Sequence, residues 1–115
     1  KKEIFKQYQQ TINNIDGLSV ANVPGYSDNN HWMNLLQIDS ETFGEDGESL
    51  MQRFQEKNIQ TRRVWTLNHQ QKPYEHCQNY RIERAEELVN NSLCLPSSSN
   101  VTDDNLNYVI TQLNG

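Results

Sequence analysis

The chain has 115 residues, 34% of them apolar, with 15 Asp and Glu against 10 Lys and Arg and a net charge of −5. That length suits one domain with a thin but real core. The scattered basic residues exclude the basic stripe of a nucleic-acid binder, and no apolar run reaches the ~20 residues that a membrane span needs.

Gln and Asn are abundant, yet apolar residues recur at spaced positions throughout, a pattern that disordered segments lack. Ile4, Phe5, Tyr8, Ile12 and Ile15 fall on one face of an amphipathic helix, which Asp16-Gly17 ends. The opening KKEIFKQYQQ reads as a helix already under way, the expectation for a piece of a longer polypeptide. LSVANV is a short extended segment and PGYSDNN a loop. HWMNLLQID carries apolar residues at both parities, which predicts a strand covered on both faces. SETFGEDGES is a connection leading into a helix that sets Leu50, Met51 and Phe54 on one face and closes at Asn58. IQTRRVW resumes as extended chain, and TLNHQQKPYEHC, with no regular period, is a long loop. RIERAEELVNNSL gives a helix with Ile82, Ala85, Leu88 and Val89 on its stripe, CLP a minimal strand, and the last segment a helix. There Thr102 is the N-cap, Asp103 and Asp104 complement the dipole, and Leu106, Val109, Ile110 and Leu113 face the core. The order α-β-β-α-β-loop-α-β-α predicts a small α/β sandwich with helices packed on a sheet.

The chemistry-bearing residues concentrate in TRRVWTLNHQQKPYEHC, residues 61–77. Zinc sites use four ligands at spacings such as CxxC or HxxxH; His69, His76 and Cys77 offer no fourth ligand, so no metal is expected. His76 and Cys77 are adjacent, so their side chains diverge and no Cys–His nucleophile is indicated. The glycines at 17, 25, 44, 47 and 115 form neither phosphate-loop pattern. Glu86–Glu87 and Asp103–Asp104 read as solvated helix faces and dipole partners. Two thiols, Cys77 and Cys94, with no signal peptide visible, lead to the expectation of a reduced, cytoplasmic protein, with Cys94 a small core residue. Arg62 and Arg63 are successive in extended chain and point to opposite sides. Trp65 and His69 beside such an arginine would form a polar-aromatic lip for a ligand. The plainer alternative has Trp65 in the core and both arginines merely solvated, and composition alone favours it.

Three segments in order, DNNHWMNLLQID, KNIQTRRVWTLNHQQKPY and AEELVNNSLCLPSSSNVTDDNLNYVI, resemble the C-terminal domain of the DegT/DnrJ/EryC1/StrS aminotransferases. These are pyridoxal-phosphate enzymes that place an amino group on nucleotide-linked keto sugars. KKEIFKQYQQTINNIDGLSV is similar to the family's helix leading out of the large domain, so the resemblance covers essentially the whole chain. It implies one domain over residues 1–115, an α/β (α+β) two-layer sandwich of a small sheet and about four helices, like the small domain of fold-type I transferases. In that family the large N-terminal domain holds the cofactor, its Schiff-base lysine and the acid facing the pyridine nitrogen. Lys1, Lys2, Lys6, Lys57 and Lys72 do not sit in such a lysine motif, so the resemblance implies that this chain alone binds no pyridoxal phosphate and does not transaminate unaided.

The implied partners are the large domain of the same polypeptide, a second subunit of a homodimer, and a nucleotide-sugar substrate. An exposed apolar patch is the expected mark of the missing neighbours. The resemblance assigns the loop from Trp65 to His69 to the sugar and positioning roles to Asn30 and His31. Arg62 or Arg63 would meet anionic or hydroxyl groups, Trp65 would stack on the sugar or its base, and His69 would bond a hydroxyl or orient the loop. The family's commoner His-Tyr-Pro is replaced here by Val64-Trp65-Thr66, an aromatic wall in place of a polar contact. That is similar to a branch carrying TRPLW, many of whose members make amino sugars for bacterial surface glycans. A free-standing α/β module that binds protein or a small ligand is the alternative, and fold alone does not separate the two.

Overall fold

A computed structural model describes residues 1–114. Helix α1 (Lys2–Ile12) leads into strand β1 (Leu18–Val20), and an irregular segment connects it to β2 (Asn34–Ile38). A short helix α2 (Ser40–Phe43) and helix α3 (Gly47–Glu56) precede β3 (Arg62–Arg63). A long excursion with one 3-10 turn (Asn68–Gln70) then reaches α4 (Glu83–Asn90), β4 (Ser92–Leu95) and α5 (Asp103–Leu113). The strands form one antiparallel sheet in the order β1-β2-β4-β3.

Residues paired across an antiparallel ladder share a face. The pairs Leu18–Ile38, Val20–Leu36, Leu36–Leu93 and Asn34–Leu95 therefore define an inner face. Tyr8 and Ile12 of α1, Leu50 and Phe54 of α3, and Leu106, Val109, Ile110 and Leu113 of α5 close over it as one cluster. At about 1.5–3 kcal/mol for each large apolar side chain removed from water, this single layer carries the stability of the fold. The Tyr8 hydroxyl donates to the Pro96 carbonyl at 2.9 Å, and burial pushes the phenol's pKa well above its ordinary value. Asn34 is the odd member of the inner face: it is buried, and its carboxamide makes no hydrogen bond among the described residues.

The outer face carries Ser19, Leu35, Gln37, Ser92, Cys94 and Arg62 and is covered only at one end. There Arg84 and Leu88 of α4 share a shallow cleft with Ser19, Gln37 and Ser92. This arrangement is the expected α+β sandwich, with α1, α3 and α5 on the inner side of the sheet and α4 at one end of the outer side.

Several local expectations are corrected. β2 is not covered on both faces: Asn34, Leu36 and Ile38 are buried while Leu35 and Gln37 are half-buried, because the outer layer is incomplete. His31 and Trp32 lie outside that strand. β4 is a full four-residue strand, buried at every position, because it runs between β2 and β3. α1 stops at Ile12, before Asp16-Gly17, since the neighbouring asparagines compete for the backbone. Asn13 Oδ1 accepts from the Val20 N–H at 2.9 Å, and Asn14 Nδ2 donates to the Gln10 carbonyl at 2.6 Å. Gly17 still makes the reversal, with φ +79°, and a Cβ there would lie 2.5 Å from the Phe43 nitrogen.

The connection after β2 is more ordered than its composition suggests. Asp39 caps α2 by accepting from the Glu41 and Thr42 N–H groups, and Asp46 caps α3 by accepting from Ser49 at 2.8 Å. Those bonds hold both carboxyls below their ordinary pKa values, with Thr42 the main influence on Asp39 and the Ser49 backbone that on Asp46. The last helix matches its expected cap, Thr102 accepting from Asn105 at 3.2 Å.

Candidate functional site

β3 is only two residues long, so the chain leaves the sheet edge almost as soon as it joins. Arg62 pairs with Cys94 and lies on the outer face; Arg63 pairs with Leu93 and lies on the inner side. Arg63 is ion-paired with Glu48 in the first turn of α3, a surface pair of little energetic weight. Arg62 makes no ion pair among the described residues and lines a cleft of about 530 Å³ with Trp32, Met33, Cys94 and Tyr108. The opposite orientations expected of the two arginines are thus observed, and they leave Arg62 as the free cation at the cleft. Burial pushes the Cys94 thiol up, with Arg62 opposing that shift to a smaller extent.

Beyond β3 the chain projects outward, and no residue from Arg62 to Ile82 is buried. Trp65 is 60% exposed, so it is not a core residue. Its ring lies beside Trp32, which is 62% exposed, at 5.8 Å between centroids and an angle of 34°. Two large apolar rings, each more than half in water and touching one another, form a ridge. On one side lies the Arg62 cleft. On the other, Trp65, Leu67, His69, Tyr74 and Tyr80 line an open cup of about 620 Å³.

Asn30 and His31 do not enter either hollow; they build the loop that presents Trp32. Asn30 Oδ1 accepts from the Trp32 N–H at 2.9 Å, and Asn29 Oδ1 accepts from the His31 N–H at 2.7 Å. His31 takes φ +50° and stacks on Phe5 of α1 at 4.1 Å between rings. Lys2, 2.6 Å from Asp28, fastens the same loop to α1 and holds that carboxyl below its ordinary pKa, with a small contribution from His31. The Trp32 carbonyl accepts from Ser97 Oγ at 3.1 Å, which ties the loop to the end of β4.

His69 sits in the 3-10 turn with its Nε2 3.1 Å from Glu86 Oε1 of α4. His76 instead lies exposed 3.3 Å from Glu75, while Cys77 lines the same cup as His69. Of the paired glutamates, Glu87 is a solvated partner of Arg84 at 2.9 Å, as expected, but Glu86 turns toward the loop. Trp32 and Glu86 are the residues that sequence reasoning missed. Trp32 had a signal, as the neighbour of His31 in the same motif; Glu86, 17 residues beyond His69, had none.

Pyridoxal phosphate requires a lysine able to form its Schiff base. All five lysines are exposed, and none lines the Arg62 cleft, the cup or the shallow cleft beside α4.

A model of the DegT/DnrJ/EryC1/StrS aminotransferase family matches residues 1–114. EpsN of Bacillus subtilis (strain 168), named as a pyridoxal phosphate-dependent aminotransferase, is 31% identical over 98% of this chain and 29% of its own length. Among solved structures, DesI, determined in the presence of its TDP-sugar product, superposes with a TM-score of 0.86 at 23% identity, over 97% of this chain and 29% of that one. Helicobacter pylori PseC, an aminotransferase involved in the biosynthesis of pseudoaminic acid, superposes at 0.81 with 10% identity, over 97% of this chain and 30% of that one. At those identities the superpositions speak for the fold alone. The chain spans less than a third of the length of these relatives.

Proposed function

The chain belongs to the DegT/DnrJ/EryC1/StrS aminotransferase family, and from that premise we propose that it is the C-terminal small domain of an enzyme that aminates nucleotide-linked keto sugars. The observation that carries this reading is the match over residues 1–114 in relatives more than three times as long as the chain. In this reading the reacting half, with its Schiff-base lysine, belongs to a large domain of the same polypeptide. Pyridoxal phosphate supplies the amino-transfer chemistry from that domain, and the chain alone is inactive. The same proposal makes the intact enzyme a cytoplasmic homodimer serving bacterial surface-glycan synthesis. Among the described residues no helix is long and apolar enough to cross a membrane.

In this reading the ridge of Trp32 and Trp65 is the sugar-facing wall. An aromatic face suits the apolar C–H surface of a sugar ring or a nucleobase, and its rim supplies donors and acceptors for hydroxyls. Arg62, lying free at the neighbouring cleft, meets an anionic or hydroxyl group; Arg63 is left in its pair with Glu48. Asn30 and His31 position Trp32, and His69 bonds a hydroxyl or orients the loop. The substrate class rests on family membership, and the TDP-sugar product of DesI is of the same class.

Trp65→Ala in the intact enzyme is the test. The Michaelis constant for the nucleotide sugar rises about tenfold, the loss of one stacked ring, while the bound cofactor's absorbance is unchanged. Equal loss of both would assign Trp65 to packing and overturn the wall. Aminotransferase activity from the 115-residue chain by itself would overturn the division of labour.

A further inference from the structure

We infer that Glu86 is the positioning residue of this site: its carboxylate fixes His69, and through His69 and Gln70 it holds the excursion from residue 64 to 81 in its cupped shape. The effect on substrate rests on the proposed role of that cup as the sugar's wall; the anchoring does not.

No residue of the excursion is fully buried, and only Val64, Leu67 and His69 are half-buried, so burial alone orders it weakly. Its own hydrogen bonds shape it locally: Gln70 N–H to the Leu67 carbonyl at 3.0 Å, Tyr74 N–H to Gln71 at 2.8 Å, Cys77 N–H to Tyr74 at 2.9 Å, and Gln71 Nε2 to the Thr66 carbonyl at 3.2 Å. None of these docks it on the domain. Two contacts do. At its start Trp65 leans on Trp32; further along, Glu86 Oε1 meets both His69 Nε2 at 3.1 Å and Gln70 Nε2 at 3.4 Å. Among the described residues no other side chain outside the excursion hydrogen-bonds a side chain within it. The His69 side chain is only 18% exposed, against 91% for His76 a few residues on, so the ring is held where the carboxylate waits.

The pairing also decides which nitrogen of His69 carries hydrogen. An ionised carboxylate only accepts, so Nε2 donates to it, and in the neutral ring Nδ1 is left as an acceptor. An acceptor at the cup is what a sugar hydroxyl, as donor, requires. Glu86 thus sets both the place and the polarity of His69. Its plainer role, a negative charge in the first turn of α4 complementing the dipole, needs the charge but not the contact.

Glu86→Ala and Glu86→Gln in the intact protein separate these roles, because glutamine loses the charge and keeps a carbonyl acceptor. In Glu86→Ala, hydrogen exchange over residues 66–72 accelerates about tenfold, the worth of one hydrogen bond, while exchange in α3 and β4 is unchanged. The sugar's Michaelis constant rises by a similar factor with kcat within about twofold. Glu86→Gln stays within about twofold of the parent in both. His69→Ala reproduces the rise, and adding Glu86→Ala to it produces no further one. Unchanged exchange in Glu86→Ala, or a glutamine variant as impaired as the alanine one, overturns the inference. Accelerated exchange with an unchanged Michaelis constant leaves the anchor standing and overturns instead the reading of the cup as the sugar's wall.

Discussion

The helical layer and the excursion between β3 and α4 are built on opposite terms. In the first, Tyr8, Ile12, Leu36, Leu50 and Phe54 are wholly removed from water and each is held by many neighbours. In the second, Trp65, Tyr74 and Tyr80 are at least half in water, and the segment docks through one ring contact and one carboxylate. Apolar mass therefore serves stability in one region and is displayed in the other. Such a display of aromatic surface marks a contact site, which on the proposed reading the substrate or the large domain covers.

The contrast breaks most visibly in the core. Phe54→Ala lowers the free energy of unfolding by about 3–5 kcal/mol, read from a denaturant midpoint, because the helices cannot close the space left beneath α3. Tyr8→Phe is milder, about 1 kcal/mol at neutral pH for the hydroxyl's bond to Pro96. Its larger signature lies in alkali. Because the buried phenol's pKa is raised, its stabilising contribution is complete below about pH 10, where the unfolded tyrosine begins to ionise, and falls as pH rises further. Tyr8→Phe removes that part of the alkaline decline, and a parent and variant with the same pH dependence above about pH 10 would contradict the burial assigned to the ring. The smallest effect belongs to the excursion: Trp65→Ala changes unfolding free energy by less than about 0.5 kcal/mol even as it weakens substrate binding. A loss of core size at Trp65 would erase the distinction between the two regions.

Much of the inner layer was legible from periodicity. The stripes Ile4-Phe5-Tyr8-Ile12 and Leu106-Val109-Ile110-Leu113 are where the sequence places them, as are the Thr102 cap and the reversal at Gly17. Those features depend on neighbours three or four residues away, so local pattern suffices. Ends and faces were harder. The early stop of α1 depends on Asn13 reaching Val20, and the half-cover of β2 depends on which side of the sheet received helices. At the site, the opposed directions of Arg62 and Arg63 follow from strand geometry alone, whereas the exposure of Trp65 ran against its composition.

By itself the sequence determined the four longer helices, the sandwich class and the family, because each is written in local spacing or in ordered motifs. Only the tertiary structure decided that Trp32 meets Trp65, that among the described residues Arg63 has an ion pair and Arg62 has none, and that Glu86 meets His69. Those contacts join residues 17 to 33 positions apart, or depend on which sheet edge a two-residue strand occupies. Sequence spacing carries no trace of such distances until the chain has folded.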